Sequence, residues 1–292
     1  MRAAVAPFLM LAAPLAAQAP GTDIYLVPLT RAGAELRLGA AVNATARAGY
    51  DNQPYFSSDG KSLFYTSQRD GQTDIFRYDR GPGVSVQVTS TPESEYSPTV
   101  MPDGRHISVI RVEKDSTQRL WAFTLDGTAV KPVLDSIKPV GYHTWLNADT
   151  VFVFVLGSPP TLRRAELGRG TAQVMASNIG RALAIVPGRR AVSYVQQDSA
   201  SGWVRSLDPV TGAGESLVSL PAGAAFFAWL GANELLTASG NRLLLWKRGA
   251  PDWVEVARFS EPGLQQISRL AVSPSGDALA LVGNEPAPTR SP

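Results

Sequence analysis

Short apolar runs separated by polar, turn-forming clusters recur along the chain. Six tight-turn signals carry the rhythm: Ser58-Asp59-Gly60-Lys61, Pro102-Asp103-Gly104-Arg105, Asn147-Ala148-Asp149-Thr150, Pro187-Gly188-Arg189-Arg190, Gly231-Ala232-Asn233-Glu234 and Pro274-Ser275-Gly276-Asp277. Asp-Gly and Asn-type pairs reach positive φ at little cost, so such clusters close hairpins between strands. A β-rich run follows each turn, at 63–66, 106–110, 151–155, 191–195, 235–237 and 278–282. Taken at positions 60, 104, 149, 188, 233 and 276, the turns lie 39 to 45 residues apart. About 40–45 residues is the length of one four-stranded propeller blade.

Each repeat continues with two further strand candidates: 74–78 and 84–88, 120–123 and 129–133, 161–164 and 172–174, 203–207 and 216–218, 243–246 and 253–256. The sixth repeat stops after two. Its missing pair stands at the other end of the chain, at 23–27 and 34–38, and Asp23-Ile24-Tyr25 reads like Asp74-Ile75-Phe76. The pattern predicts an all-β, six-bladed propeller of four-stranded antiparallel blades, the last closed by N-terminal strands. A seven-bladed ring needs a seventh turn signal, and none is found. The expected domain is 20–285, followed by a polar tail at 286–292.

The first residues follow another pattern. Arg2 gives a positive start, 5–15 is a short apolar run, and Ala17-Gln18-Ala19 fits a small-residue cleavage site, with a cut after Ala17 as the alternative. This layout predicts a secretory signal peptide at 1–19. The run falls short of the ~20 residues of a spanning helix, so no membrane span is expected. A periplasmic or secreted location follows.

Composition narrows the chemistry. With 26 Gly and 22 Pro, helix breakers make up roughly one residue in six, against ~12% in an average chain, which excludes a long helical bundle. There is no Cys, so a disulfide framework, a thiolate nucleophile and a cysteine-bound metal are all excluded. Two His do not make a three-His site, and a formal net charge of +2 points to no nucleic-acid partner. Phosphate-loop, dinucleotide and serine-hydrolase signatures do not occur. No cofactor or metal is expected.

The stretch from Gln53-Pro54-Tyr55-Phe56-Ser57-Ser58-Asp59-Gly60-Lys61 through Ser67-Gln68-Arg69-Asp70-Gly71 to Asp74-Ile75-Phe76, with Tyr96-Ser97-Pro98-Thr99-Val100-Met101-Pro102-Asp103-Gly104-Arg105, resembles the repeat of TolB-like, WD-repeat-like propellers. Repeats one, two and six match that pattern, with Ser58 in place of the usual proline; repeats three to five match by spacing alone. The resemblance implies an exported six-bladed propeller. It supplies no catalytic residues. The additional N-terminal α/β domain of TolB itself is not expected in these 292 residues, so its envelope-complex role is not carried over.

In a propeller the first strand of each blade lines the channel, and the segments leading into those strands frame one mouth. Nine residues before the turns stand Asp51, Glu95, Val140, Ile179, Ala224 and Ile267; seven before stand Gln53, Ser97, Tyr142, Arg181, Phe226 and Arg269. Tyr50, Asp51, Glu95, Tyr96, Tyr142, His143, Arg181, Phe226 and Arg269 form the expected partner-binding set at the mouth. Asp51 and Glu95 are expected to stay solvated, cap strands or pair with the arginines across it. Trp145 and Trp229 are expected in the core between blades, and Trp121, Trp203 and Trp246 at packing positions of the third strand. The expected function is a non-catalytic scaffold, monomeric, for a protein or peptide partner in the cell envelope. The alternative is a metal-assisted lactonase- or hydrolase-like enzyme centred on Asp51, Glu95 and His143.

Overall fold

The computed structural model describes residues 21–198 and 202–285. The expected signal peptide at 1–19 and the tail at 286–292 lie outside the described residues. Six antiparallel sheets follow one another around the ring. Blade one runs Asp51–Phe56, Ser62–Arg69, Gln72–Asp79 and Val84–Gln87. Blades two to five repeat the order, beginning from the inner strands Ser94–Val100, Val140–Asn147, Ile179–Ile185 and Phe227–Trp229. Blade six takes Arg269–Val272 and Ala278–Asn284 from the C-terminal end and Thr22–Ala32 and Glu35–Leu38 from the N-terminal end.

The closing ladder pairs Thr22 with Asn284 and continues in register to Pro28 with Ala278. It is extended at both ends, by Glu285 N–H donating to Gly21 C=O at 3.0 Å and Leu29 N–H to Asp277 C=O at 2.7 Å. Blade six also holds a short fifth strand, Val42–Asn43, on the inner half of Thr22–Ala32. That half would otherwise leave unpaired edge groups, because Glu35–Leu38 covers only its outer end.

Period-two alternation sends neighbouring side chains to opposite faces of a blade. Leu63 and Tyr65 pack with Ile24, Ala280 and Val282 between blades six and one. Phe64, between them in sequence, packs with Ile107, Val109 and Phe123 of blade two. Likewise Val151 and Val153 face blade two, while Phe152 and Phe154 face blade four. Every junction between neighbouring blades holds one such apolar cluster. The core is therefore divided radially among the junctions.

The turns have local causes. Gly60 sits at φ +70° and its N–H donates to Ser57 C=O, while Asp59 Oδ1 accepts from Ser57 Oγ and Lys61 N. The third turn lacks glycine and substitutes an Asx turn, Asp149 N–H donating to Asn147 Oδ1. Trp145 and Trp229 are buried, and each donates its indole N–H to a serine of the preceding blade, Ser108 and Ser193, at 2.8 Å. Trp246 is buried, but Trp203 is 39% exposed. Trp203 stands at the very start of its strand, Trp203–Leu207.

Ile24, fully buried in the closing strand, reports on the closure. Ile24→Ala is expected to cost about 2–5 kcal/mol, read from the denaturant midpoint. Val86→Ala, on the exposed outer strand of blade one, is expected to stay within about 0.5 kcal/mol.

Candidate functional site

All six residues standing seven positions before the turns line a single central cavity of about 390 Å³: Gln53, Ser97, Tyr142, Arg181, Phe226 and Arg269. Each blade contributes one. A second cavity of about 430 Å³ shares Gln53, Tyr142 and Arg181 with it. This second space reaches Tyr96, Val112, Gln118, Leu156 and Gly157, next to the loops joining second and third strands of blades two and three. Gln53, Tyr142 and Arg181 thus form the waist between mouth and channel.

Arg269 closes that waist. Its guanidinium donates to Tyr142 Oη at 3.3 Å and lies 4.0 Å from the Phe226 ring centroid and 5.3 Å from that of Tyr142. Both stackings place the cation on the negative face of an aromatic ring. Tyr50 is half-buried beside the same group: burial pushes its phenol up to about 12, against a downward pull from Arg269, and Tyr142 and Tyr96 add to the rise. The phenol stays a neutral donor. Tyr96 donates to Thr73 Oγ1 at 3.4 Å. Arg181 is exposed at the waist.

The carboxylates sit elsewhere. Asp51 and Glu95 are each 0% exposed and do not converge on the axis. Nor do they pair with the arginines of the channel. Asp51 Oδ1 accepts from Arg47 at 3.0 Å, whereas Glu95 accepts from Thr91 at 2.5 Å and Thr89 at 3.2 Å, with Arg111 Nε 3.5 Å away. Arg111 also pairs with Glu93. The cause is a bulge between Asn52 and Tyr55 and another between Tyr96 and Thr99. At each, a residue before proline adopts positive φ, Gln53 at +58° and Ser97 at +52°. An extra residue in the strand changes which face the side chains reach, so positions two apart no longer share one. Gln53 locks the arrangement, its Oε1 accepting from Thr66 Oγ1 and Ser97 N, both at 2.7 Å.

These carboxylates instead build repeated joints between blades. In the sixth-to-first joint, Thr45 Oγ1 accepts from Ile24 N and donates to Asp23, which also accepts from Asn43 Nδ2. In the first-to-second joint, Thr89 Oγ1 accepts from Ile75 N and donates to Glu95, while Asp74, near enough to raise the Glu95 pKa, accepts from Gln87 Nε2 at 3.2 Å. The Asp-Ile of the third strand and a threonine six residues before Asp51 or Glu95 recur in both. That spacing was the available signal for their role.

His143 is also buried, at 8% exposure, though it belongs to the cavity wall. Burial pulls its imidazole down to about 3, so it is neutral. Its Nε2 lies 2.6 Å from Ser108 Oγ, in hydrogen-bond contact, and its Nδ1 has no partner among the described residues. Burial withdraws Asp51 and Glu95 from the expected contact set and makes His143 a wall residue. His106 caps its own turn through Asp103 at 2.6 Å. Among the described residues no three His, Asp or Glu side chains are grouped to hold a metal. The enzyme alternative named Asp51, Glu95 and His143, and the fold does not bring them into one site.

Burial, with Asp74 alongside, pushes Glu95 up to about 7 against the hydrogen bond from Thr91. The folded chain therefore holds a proton that the unfolded chain has released, and stability falls as pH rises from 4.5 to about 7. His143 acts in the opposite sense. The unfolded imidazole takes up a proton below 6.5 while the folded one does not until about 3, so stability falls as pH drops through that window. Glu95→Gln copies the neutral acid and is expected to remove a slope of up to about 1.4 kcal/mol per pH unit, melting above wild type at pH 8. Thermal melts across pH check this, and an unchanged slope contradicts it.

No family model matches the chain. An uncharacterized protein of Agrobacterium fabrum is 30% identical over 126 residues, 42% of this chain and 37% of that protein. Among solved structures, a TolB candidate from Agrobacterium tumefaciens superposes with a TM-score of 0.72 at 13% identity, over 92% of this chain and 100% of that one. A chain of a nidogen/laminin complex gives 0.63 at 12% identity, covering 91% and 100%. An oligogalacturonate lyase in complex with manganese gives 0.57 at 17%, covering 86% and 82%. Among the described residues no helix is long and apolar enough to cross a membrane. At such identities the likeness is one of fold: the chain is a six-bladed β-propeller with the architecture of TolB-like propellers.

Proposed function

We propose that this propeller is a non-catalytic, monomeric scaffold of the cell envelope, exported through residues 1–19, that binds a protein or peptide partner at its channel mouth. The observation that carries the reading is the convergence of Tyr50, Tyr96, Tyr142, Arg181, Phe226 and Arg269, one from the start of each blade, around one mouth and channel. Tyrosine and arginine dominate interface hot spots because each combines a large contact area with fixed donors. A ring whose walls are already packed loses little conformational entropy on association. A chain of similar fold occurs in a protein–protein complex, that of nidogen with laminin.

A similar ring also carries a lyase in complex with manganese, so the fold by itself leaves the chemistry open. Here the carboxylates that an acid-base or metal-assisted reaction would draw on, Asp51 and Glu95, are engaged in the blade joints. Binding is the better match to what the channel presents.

Tyr96→Ala and Tyr142→Ala are each expected to lower capture of envelope partners by in-situ crosslinking, corresponding to at least about 1 kcal/mol. Undiminished capture rejects this face. Added calcium or zinc is expected to leave the melting temperature unchanged; a clear rise would instead favour the lactonase- or hydrolase-like alternative.

A further inference from the structure

The channel carries an unbalanced charge. Arg181 and Arg269 both line it, and among the described residues neither is ion-paired. No Asp or Glu lines either the central cavity or the one at the mouth. The other polar groups lean the same way. Gln53 has its oxygen committed to Thr66 and Ser97, which leaves its amide hydrogens. Ser97 Oγ and His143 Nδ1, in two residues of the cavity wall, are buried and have no partner among the described residues. A wall that offers two unpaired cations and the Gln53 amide hydrogens, and no carboxylate, matches an anion.

The shape limits how that anion arrives. Blades three and six stand opposite each other in a six-bladed ring, so the bond from Arg269 to Tyr142 carries the guanidinium across the axis. A chain cannot thread past it. An occupant entering from the mouth reaches the cations end-on, beside the aromatic rings of Tyr142 and Phe226 that hold Arg269.

We propose that the channel receives the C-terminal carboxylate of an extended peptide, inserted end-on, with Arg269 and Arg181 as its cationic partners and Phe226 and Tyr142 packed against its last side chain. This rests on the reading of the mouth as a peptide-binding face and adds the chemical group that is recognised. Charge-assisted pairing with a planar guanidinium favours a carboxylate over the corresponding amide, which offers one oxygen and no charge.

The test is calorimetric titration of the full chain with three probes: acetyl-Gly-Ala-Leu as the free acid, the same peptide as its C-terminal amide, and acetyl-Gly-Asp-Leu amide. The free acid is expected to bind at least about tenfold more tightly than its amide, and the Asp peptide no better than the amide. Arg181→Gln and Arg269→Gln are each expected to lower the free-acid affinity by about tenfold. Arg269 is packed between two rings, so its variant is first checked for a cooperative melt. Arg181, exposed and without a carboxylate partner, carries the test if that variant fails to fold. Equal affinity for acid and amide, or free-acid binding unchanged by Arg181→Gln, overturns the proposal. If both peptides bind equally and Tyr96→Ala abolishes both, the carboxylate claim falls while the mouth reading stands. If neither peptide binds but partners are still captured from the envelope, the claim again falls alone. Binding of the Asp amide at the free-acid level overturns the preference for a chain end.

Discussion

The ladder from Thr22 with Asn284 to Pro28 with Ala278 joins two ends separated by the whole length of the ring. Without it, blade one would lose the apolar cover of Ile24 and blade five that of Tyr25, Val27 and Leu29, and the inner strand pair of blade six would expose an unpaired edge. Closing so long a loop adds little entropy cost beyond closing a shorter one, because the penalty grows only with the logarithm of length. The apolar surface protected on both sides of the closing blade is the larger quantity. Closure is therefore a condition for the other junctions, and through them for the channel.

Channel geometry follows from that ring and from bulges in its inner strands, two of which fall beside the buried carboxylates. The bulges at Gln53 and Ser97 place a channel-facing residue next to a seam-facing carboxylate in each of the first two blades. The acids consequently stabilise the joints, where threonines and arginines surround them, and the channel is left with arginines and aromatics. One strand irregularity separates the two kinds of chemistry. The polarity of the channel is thus a by-product of how the blades are fastened.

Much of the fold was legible because its signals are local. An Asp-Gly turn specifies its own hairpin, and alternating apolar residues specify which side chains enter which junction, so the strands at 63–66, 151–155 and 203–207 lie within or match those of the structure. The N-terminal strand was placed through the likeness of Asp23-Ile24 to Asp74-Ile75, which reflects a shared joint with a threonine. The channel residues seven before each turn were also legible, since counting from a rigid hairpin preserves phase. Counting two residues further crossed the bulges, and there the phase was lost for Asp51 and Glu95. Positive φ at a residue preceding proline has no signature in hydropathy. Nor does the reach of Arg269 across the axis, which depends on Tyr142 and Phe226 being brought near it by other blades.

Native-state hydrogen exchange tests the closure most directly, because it reports the opening free energy of individual amides. If the ends hold the ring as one cooperative unit, amides of Thr22–Ala32 and Ala278–Asn284 exchange only through global unfolding, with the same denaturant dependence as the inner strands of blades two to four. Exchange of the closing strands at a markedly lower free energy, with the other blades still protected, would contradict the account.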